Sequence, residues 1–230
     1  MDNYIESKLC IFSWNSRGFK PEKQDICKYL TKAAGNKLPI IANQENFLFK
    51  ANSYKVKQCL PNSHIFFKPC LKENTEGRPR NGMFISVPDC IKENVTDVSP
   101  DFWRVQAVLV KMVSSVLLLI SSYFPQDPKT QEFDDLELQE TLAVIDSILE
   151  NNIFSDVLFT GDINADFVRN TGFTSAISNY TSEKQFYKAW DKFDIDFTHA
   201  SELNGTTHVS TIFFINFLLR NVNIQIRLTI

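Results

Sequence analysis

At 230 residues, with 43% hydrophobic and 22% charged side chains, the chain has the length and balance of one globular domain with a substantial core. A net charge of −3 supplies no global field for a polyanion, so any nucleic-acid binding must come from local basic groups or bound cations. No apolar run approaches a membrane span and the N-terminus shows no signal pattern. The five scattered cysteines, without a CxxC pair, argue against a disulfide framework, a disulfide-linked partner or a zinc site, and for a reducing, intracellular compartment.

Lys8–Trp14 reads as a strand and Asn15-Ser-Arg-Gly18 as the loop after it. Pro21 precedes a helix at 22–34, with Ile26, Tyr29, Leu30 and Ala33 at helical spacing, closed by Gly35-Asn36. Leu38–Ala42 is a second buried strand delivering Gln44 and Glu45 at its end, a βαβ-like opening that argues for an α/β arrangement. Ser63–Phe67 and Gly82–Val87 are short strands around a polar, basic loop at 68–81, whose Lys68, Lys72, Arg78 and Arg80 form the best local basic cluster. Arg104–Met112 and Ser115–Ser122 read as a hairpin, and Pro125 and Pro128 prevent a continuing central strand.

The clearest helix is 131–150, with Phe133, Leu136, Leu142, Ile145 and Leu149 on one stripe and acidic residues in its first turn. It leads to Val157–Asp166, an apolar run ending at Gly161 and followed by Asp162, Asn164 and Asp166. An extended chain past the glycine projects Asp162 and Asn164 to one side, where a carboxylate and an amide can orient a metal-bound phosphate or an attacking water. Taken alone the stretch is also ordinary turn chemistry. An EF-hand is excluded, because its sixth and twelfth positions are Phe167 and Phe173 rather than Gly and Glu. Ser175–Trp190 reads as a helix. Thr211–Leu219 is strongly apolar, and Val222–Ile230 alternates apolar and polar as a strand does.

Several strands thus end in polar oxygen groups: Asn15, Glu45, Tyr123, and the Asp162–Asn164 pair. Jointly they suggest a magnesium site, since Mg²⁺ takes oxygen ligands, keeps waters and is held by one or two carboxylates plus substrate phosphate. The stretches Ser13-Trp-Asn-Ser-Arg-Gly18, Ile41-Ala-Asn-Gln-Glu45, Gly77-Arg-Pro-Arg-Asn-Gly82, Ser122-Tyr-Phe-Pro125 and Thr160-Gly-Asp-Ile-Asn-Ala-Asp166 resemble successive motifs of the endonuclease/exonuclease/phosphatase superfamily. Their order and spacing are most similar to the endonuclease domains of LINE-type (non-LTR) retrotransposons. The resemblance covers roughly Lys8 to Thr211.

That resemblance implies an α/β (α+β) fold: a four-layer α/β/β/α sandwich of two mainly antiparallel sheets flanked by helices. It implies a metal-dependent DNA endonuclease using Mg²⁺, with Mn²⁺ as a substitute. Asn15 and Glu45 are implied as metal-site residues, Glu45 as the direct ligand. Tyr123 would hydrogen-bond near the scissile phosphate, Asp162 would orient or activate water, and Asn164 would stabilise the charge of the transition state. Lys68, Lys72, Arg78 and Arg80 are candidate contacts to the DNA backbone, Asp166 reads as a turn residue, and a nuclear site of action follows from the retroelement role. The alternatives are a phosphatase or lipid phosphodiesterase of the same superfamily, or a DNA-binding remnant without catalysis.

The chain departs from the family near its end. Members carry a Ser-x-Ile-Asp strand and then a Ser-Asp-His loop; here Thr206-Thr-His-Val-Ser-Thr-Ile212 is followed by Phe213 where the Asp belongs, or by Asn216 if the alignment is shifted. No Ser-Asp-His occurs, and His64, His199 and His208 show no ligand spacing. The expectation is an endonuclease domain at 1–211 and an atypical tail at 212–230, of truncated or frameshifted origin, replacing the last catalytic strand and loop. With the Asp and His missing, turnover is expected to be impaired.

Overall fold

The computed structural model describes residues 9–20, 24–71, 81–127, 136–165, 167 and 171–188, with strand segments at 201–203, 206–208, 214–216 and 225–228. The opening βαβ reading holds: β1 (Leu9–Asn15) and β2 (Leu38–Gln44) are parallel neighbours, joined by α1 (Gln24–Ala34). After the short helix α2 (Tyr54–Cys59) come β3 (Ser63–Lys68) and β4 (Met83–Pro88), both antiparallel additions. The second half contributes β5 (Val95–Asp97), the hairpin β6 (Val105–Lys111) and β7 (Val116–Tyr123), then α3 (Leu136–Asn151) and β8 (Asp156–Asp162) parallel to β7. Helix α4 (Gly172–Glu183) and strands β9 (Tyr187–Lys188), β10 (Ser201–Leu203), β11 (Thr206–His208), β12 (Phe214–Asn216) and β13 (Gln225–Leu228) complete the order.

Among the described residues two mixed sheets result, a five-stranded β13-β1-β2-β4-β3 and a six-stranded β5-β6-β7-β8-β12-β9, with β10 and β11 forming a separate antiparallel pair. Alternation along each strand sorts its side chains between two cores. Leu9 and Ile11 of β1, Ile40 and Ala42 of β2, Leu117 and Leu119 of β7, and Leu158 of β8 fill the space between the sheets. The opposite face of the first sheet (Cys10, Phe12, Ile41, Phe84) packs on Cys27 and Leu30 of α1 and Val56 of α2. The opposite face of the second (Leu118, Ile120, Val157, Phe159) packs on Leu138, Ile145 and Ile148 of α3 and Phe173 and Ile177 of α4. Helix, sheet, sheet, helix is the expected four-layer sandwich. Each fully buried Leu, Ile or Phe contributes roughly 1.5–3 kcal/mol relative to exposure.

Some expected details differ. The inward stripe of α3 is Leu138, Thr141, Ile145 and Ile148, and Leu136 is 58% exposed. Likewise Tyr29 of α1 is exposed while Cys27, Leu30 and Ala34 are buried. The other expected positions among the described residues, Leu142, Ile145 and Leu149 of α3 and Ile26, Leu30 and Ala33 of α1, do pack on the cores. Tyr29 is amphipathic and can lie at the margin, and Leu136 is the first residue of α3. Helix α4 begins earlier than expected: Thr171 caps it by accepting from the Thr174 N–H. The alternating tail supplies β13, paired in parallel on the outer edge of β1, and β12 lies between β8 and β9.

Candidate active site

At the C-terminal ends of β1, β7 and β8 the inward-facing positions of the two sheets turn polar. On β1 the inward series ends at Asn15, on β7 at Tyr123 and on β8 at Asp162; Tyr123 and Asp162 are partners in the β7–β8 ladder. The Asn15 amide nitrogen donates to Glu45 Oε2 at 2.8 Å and to Asp162 Oδ2 at 2.6 Å, so one carboxamide links two carboxylates. Its own oxygen accepts from the Arg17 N–H at 2.9 Å.

Glu45 follows the last residue of β2 in a left-handed conformation (φ 52°), and Arg17, Phe47, Asn81 and Asn164 around the same end also have positive φ. Such conformations cost about 1 kcal/mol or more each for non-glycine residues and persist where surrounding bonds determine them. Here the Glu45 and Asn46 carbonyls accept from the Gly18 and Phe19 N–H groups at 2.7 and 2.8 Å, and the Asn46 and Phe47 N–H groups donate to the Gly82 and Asn81 carbonyls at 3.0 Å each. Gly82 cannot be larger: a Cβ there would lie 2.3 Å from Asn46 Oδ1.

On the second sheet, Gly161 has φ 138° and its missing Cβ would fall 1.8 Å from the Ser122 carbonyl oxygen. The glycine at the end of the apolar run therefore permits β8 to approach β7 at the point where Asp162 must meet Tyr123. Asp162 Oδ1 accepts from the Asn164 N–H at 3.1 Å, and Asn164 Nδ2 donates to the Phe124 carbonyl at 2.8 Å, which fixes the amide beside the carboxylate.

Asp162 is 2% exposed. Burial pushes its carboxyl from 3.8 to about 6; the donors from Asn15 and the Asn164 backbone, with the Arg17 charge, oppose the rise, and Glu45 adds to it. Burial also pushes the Tyr123 phenol up, and the Glu45 carboxylate accepting its hydrogen pushes it further, so the phenol stays a donor. Among the described residues no group of three or more His, Cys, Asp or Glu side chains is assembled. The oxygens gathered here are those of two carboxylates, the Asn164 amide and the Tyr123 phenol, with Asn15 turning its amide nitrogen to both carboxylates, and oxygen donors suit a hard cation that keeps several waters. Two carboxylates on one amide, one of them buried and raised by its neighbour, leave local negative charge that such a cation would offset.

Five expected residues thus meet: Asn15, Glu45, Tyr123, Asp162 and Asn164. Lys68 does not join them, and its expected role as a phosphate contact is corrected. It ends β3 on the face shared with Phe66, pointing between the sheets, and its Nζ donates to the carbonyls of Pro100, Phe102 and Val105 at 2.7, 2.7 and 2.8 Å. Burial lowers its pKa to about 8, which leaves an ammonium with all three hydrogens committed to backbone. Lys72, Arg78, Arg80, Asp166 and His199 lie outside the described residues. His64 is exposed and stacks edge-on against Phe66 at 4.7 Å, a structural contact. Asn216, the shifted candidate for the missing acid, is paired with Val157, at the far end of β8 from Asp162.

Two neighbours of the site were not foreseen. Arg17 is exposed at the rim and acts on Asp162 through its charge; its place in the loop directly after β1 was the available signal. Arg104 is 6% exposed, 3.8 Å over the Trp103 ring, 2.5 Å from Glu137 of α3, and its carbonyl accepts from the Tyr123 N–H at 2.9 Å. It braces the strand end that carries Tyr123.

No family model and no curated protein matches the chain. Solved structures do. An AP endonuclease from Leishmania major superposes with a TM-score of 0.64 at 12% identity, over 89% of this chain and 78% of that one. The 3′ phosphatase NExo from Neisseria, bound to a product DNA hairpin, gives 0.62 at 14% identity, over 89% and 85%. The endonuclease domain of TRAS1, a telomere-specific non-LTR retrotransposon, gives 0.58 at 12% identity, over 89% and 82%. At these identities the likeness establishes the fold.

Proposed function

We propose that this chain, which carries the fold of the endonuclease/exonuclease/phosphatase superfamily, is a divalent-metal-dependent phosphodiesterase acting on DNA, of the LINE-type endonuclease kind. The observation that carries the reading is the Asn15 amide joining Glu45 to Asp162 across the two sheets. Glu45, with Asn15 beside it, would hold Mg²⁺ or Mn²⁺. When bound, the cation supplies Lewis-acid polarisation of a phosphate oxygen.

The protein's own groups account for the rest. Asp162, near 6, is mostly ionised at neutral pH yet basic enough to take a proton from water. Asn15 and the Asn164 backbone fix its two oxygens, and the Tyr123 phenol, kept protonated, would pass its single hydrogen from Glu45 to a phosphate oxygen once Glu45 holds the cation. Lys72, Arg78 and Arg80 are the proposed contacts to the DNA backbone, a role that would position the duplex without reading sequence. We assign segment 212–230 the place of the family's last catalytic strand and loop. Without an Asp at the strand position, where Phe213 or Asn216 stands, turnover is expected to fall by orders of magnitude, as when one member of a cooperating set is lost. That lack favours a second reading, a DNA-binding remnant without chemistry.

Nicking of supercoiled plasmid with Mg²⁺ or Mn²⁺ separates them. Metal-dependent nicking that disappears in Glu45→Ala supports the phosphodiesterase. Salt-sensitive DNA binding without cleavage supports the remnant, and hydrolysis of small phosphoesters in preference to plasmid overturns the DNA assignment.

A further inference from the structure

Directly beneath the site lies a layer of buried polar groups that the chemistry above does not use. The inward positions of β1, β7 and β8 run from Ile11, Leu119 and Leu158 in the apolar core to Ser13, Ser121 and Thr160, and only then to Asn15, Tyr123 and Asp162. Ser13, Ser121 and Thr160 are each 0% exposed. Gln44, the ladder partner of Asn15, reaches from the five-stranded sheet into this layer. Its Nε2 donates to Ser121 Oγ on the opposite sheet at 2.8 Å and to Ser13 Oγ at 3.3 Å.

The layer is incomplete. Gln44 Oε1 and Thr160 Oγ1 are buried without a hydrogen-bond partner, although Gln44 is 1% exposed. Turning the carboxamide over merely exchanges an orphan acceptor for an orphan donor. Gln44 hydrogen-bonds Ser121 and Ser121 is the ladder partner of Thr160, which places the Gln44 carboxamide and the Thr160 side chain at one level of the layer between the sheets. Buried polar groups left unpaired are rare, and an enclosed space with several polar partners is where internal water resides.

We propose that a buried water bridges Gln44 Oε1 and Thr160 Oγ1 between the sheets, and that Gln44, braced in this way, is the positioning residue that sets the spacing of the two halves of the site. Glu45 is the next residue after Gln44 and Asp162 lies two beyond Thr160 on the same face. A shift of the strut therefore moves both carboxylates relative to Asn15. The water needs no cation above it; only the effect on cation affinity rests on the proposed function.

Magnetic relaxation dispersion of water nuclei counts long-lived internal waters, and Mn²⁺ titration followed by the paramagnetic resonance of the free ion reports the site. Wild type should show a long-lived water that Thr160→Val and Gln44→Leu both remove, and Gln44→Leu should bind Mn²⁺ about tenfold more weakly. A role in folding alone would lower the unfolding temperature and leave the Mn²⁺ affinity of the folded protein unchanged, which overturns the positioning role. Should Gln44→Leu fail to fold, Thr160→Val carries the same test, with weaker Mn²⁺ binding expected. Absence of a long-lived water in wild type, or its persistence in the folded variants, overturns the proposal. If wild type and Glu45→Gln bind Mn²⁺ equally poorly, the metal site itself is wrong, and the water signal alone then decides this inference.

Discussion

Asn15 and Asp162, 147 residues apart, share a 2.6 Å hydrogen bond that joins the last inward position of one sheet to that of the other. Asn15→Ala removes the donor that holds the Asp162 carboxyl down. Asp162 should then titrate above about 6, read from carboxyl carbon shifts by NMR. An unchanged titration would show that the amide is a spacer rather than an electrostatic partner.

The raised Asp162 carboxyl makes the metal-free protein sensitive to pH. The folded state keeps this proton to about pH 6, whereas the unfolded chain releases it near 3.8. Its contribution is therefore present at low pH and is lost as pH rises through that window, by about 3 kcal/mol in all. Urea unfolding of wild type and Asp162→Asn across the window should show this slope in the first and its loss in the second.

Gly161→Ala should destabilise by on the order of 4 kcal/mol, since its Cβ meets the Ser122 carbonyl and the backbone sits at φ 138°. Urea midpoints measure it. A loss below about 1 kcal/mol would mean that β8 can move off β7 at no great cost.

Lys68→Met keeps the aliphatic stem and deletes three donors to backbone carbonyls. Stability should fall by about 2–3 kcal/mol, because buried acceptors lose partners. DNA affinity and its salt dependence should not change, and a weaker salt slope would return Lys68 to the phosphate contacts.

Much of the frame was legible because alternation and strand-end polarity are local signals. β1, β2, β4, β7 and β8 could be read as apolar runs, and Asn15, Glu45, Tyr123 and Asp162 as the polar side chains at their C-terminal ends. α2 was missed because it has six residues and buries only Val56 and Cys59, too few to show a period. The left-handed conformations of Arg17, Glu45 and Phe47 have no signature in residue type, since hydrogen bonds from neighbouring loops impose them. Lys68 was misread from its basic surroundings, although its alternation with Phe66 placed it on the inner face. Gln44 was equally legible by parity with Ile40 and Ala42, but a neutral amide next to a carboxylate draws no attention until its unpaired oxygen is seen.

Dividing the site between the sheets has a consequence for folding. Each sheet can form its own ladders while the interlayer packing is still loose, as in a partly ordered, expanded state. In that state Asn15 and Glu45 would be present, and so would Tyr123 and Asp162, but not opposite one another. The site therefore exists only once the sheets have docked in register. A ligand that needs both halves discriminates the finished molecule from its near-folded competitors, and stabilises only the former by mass action.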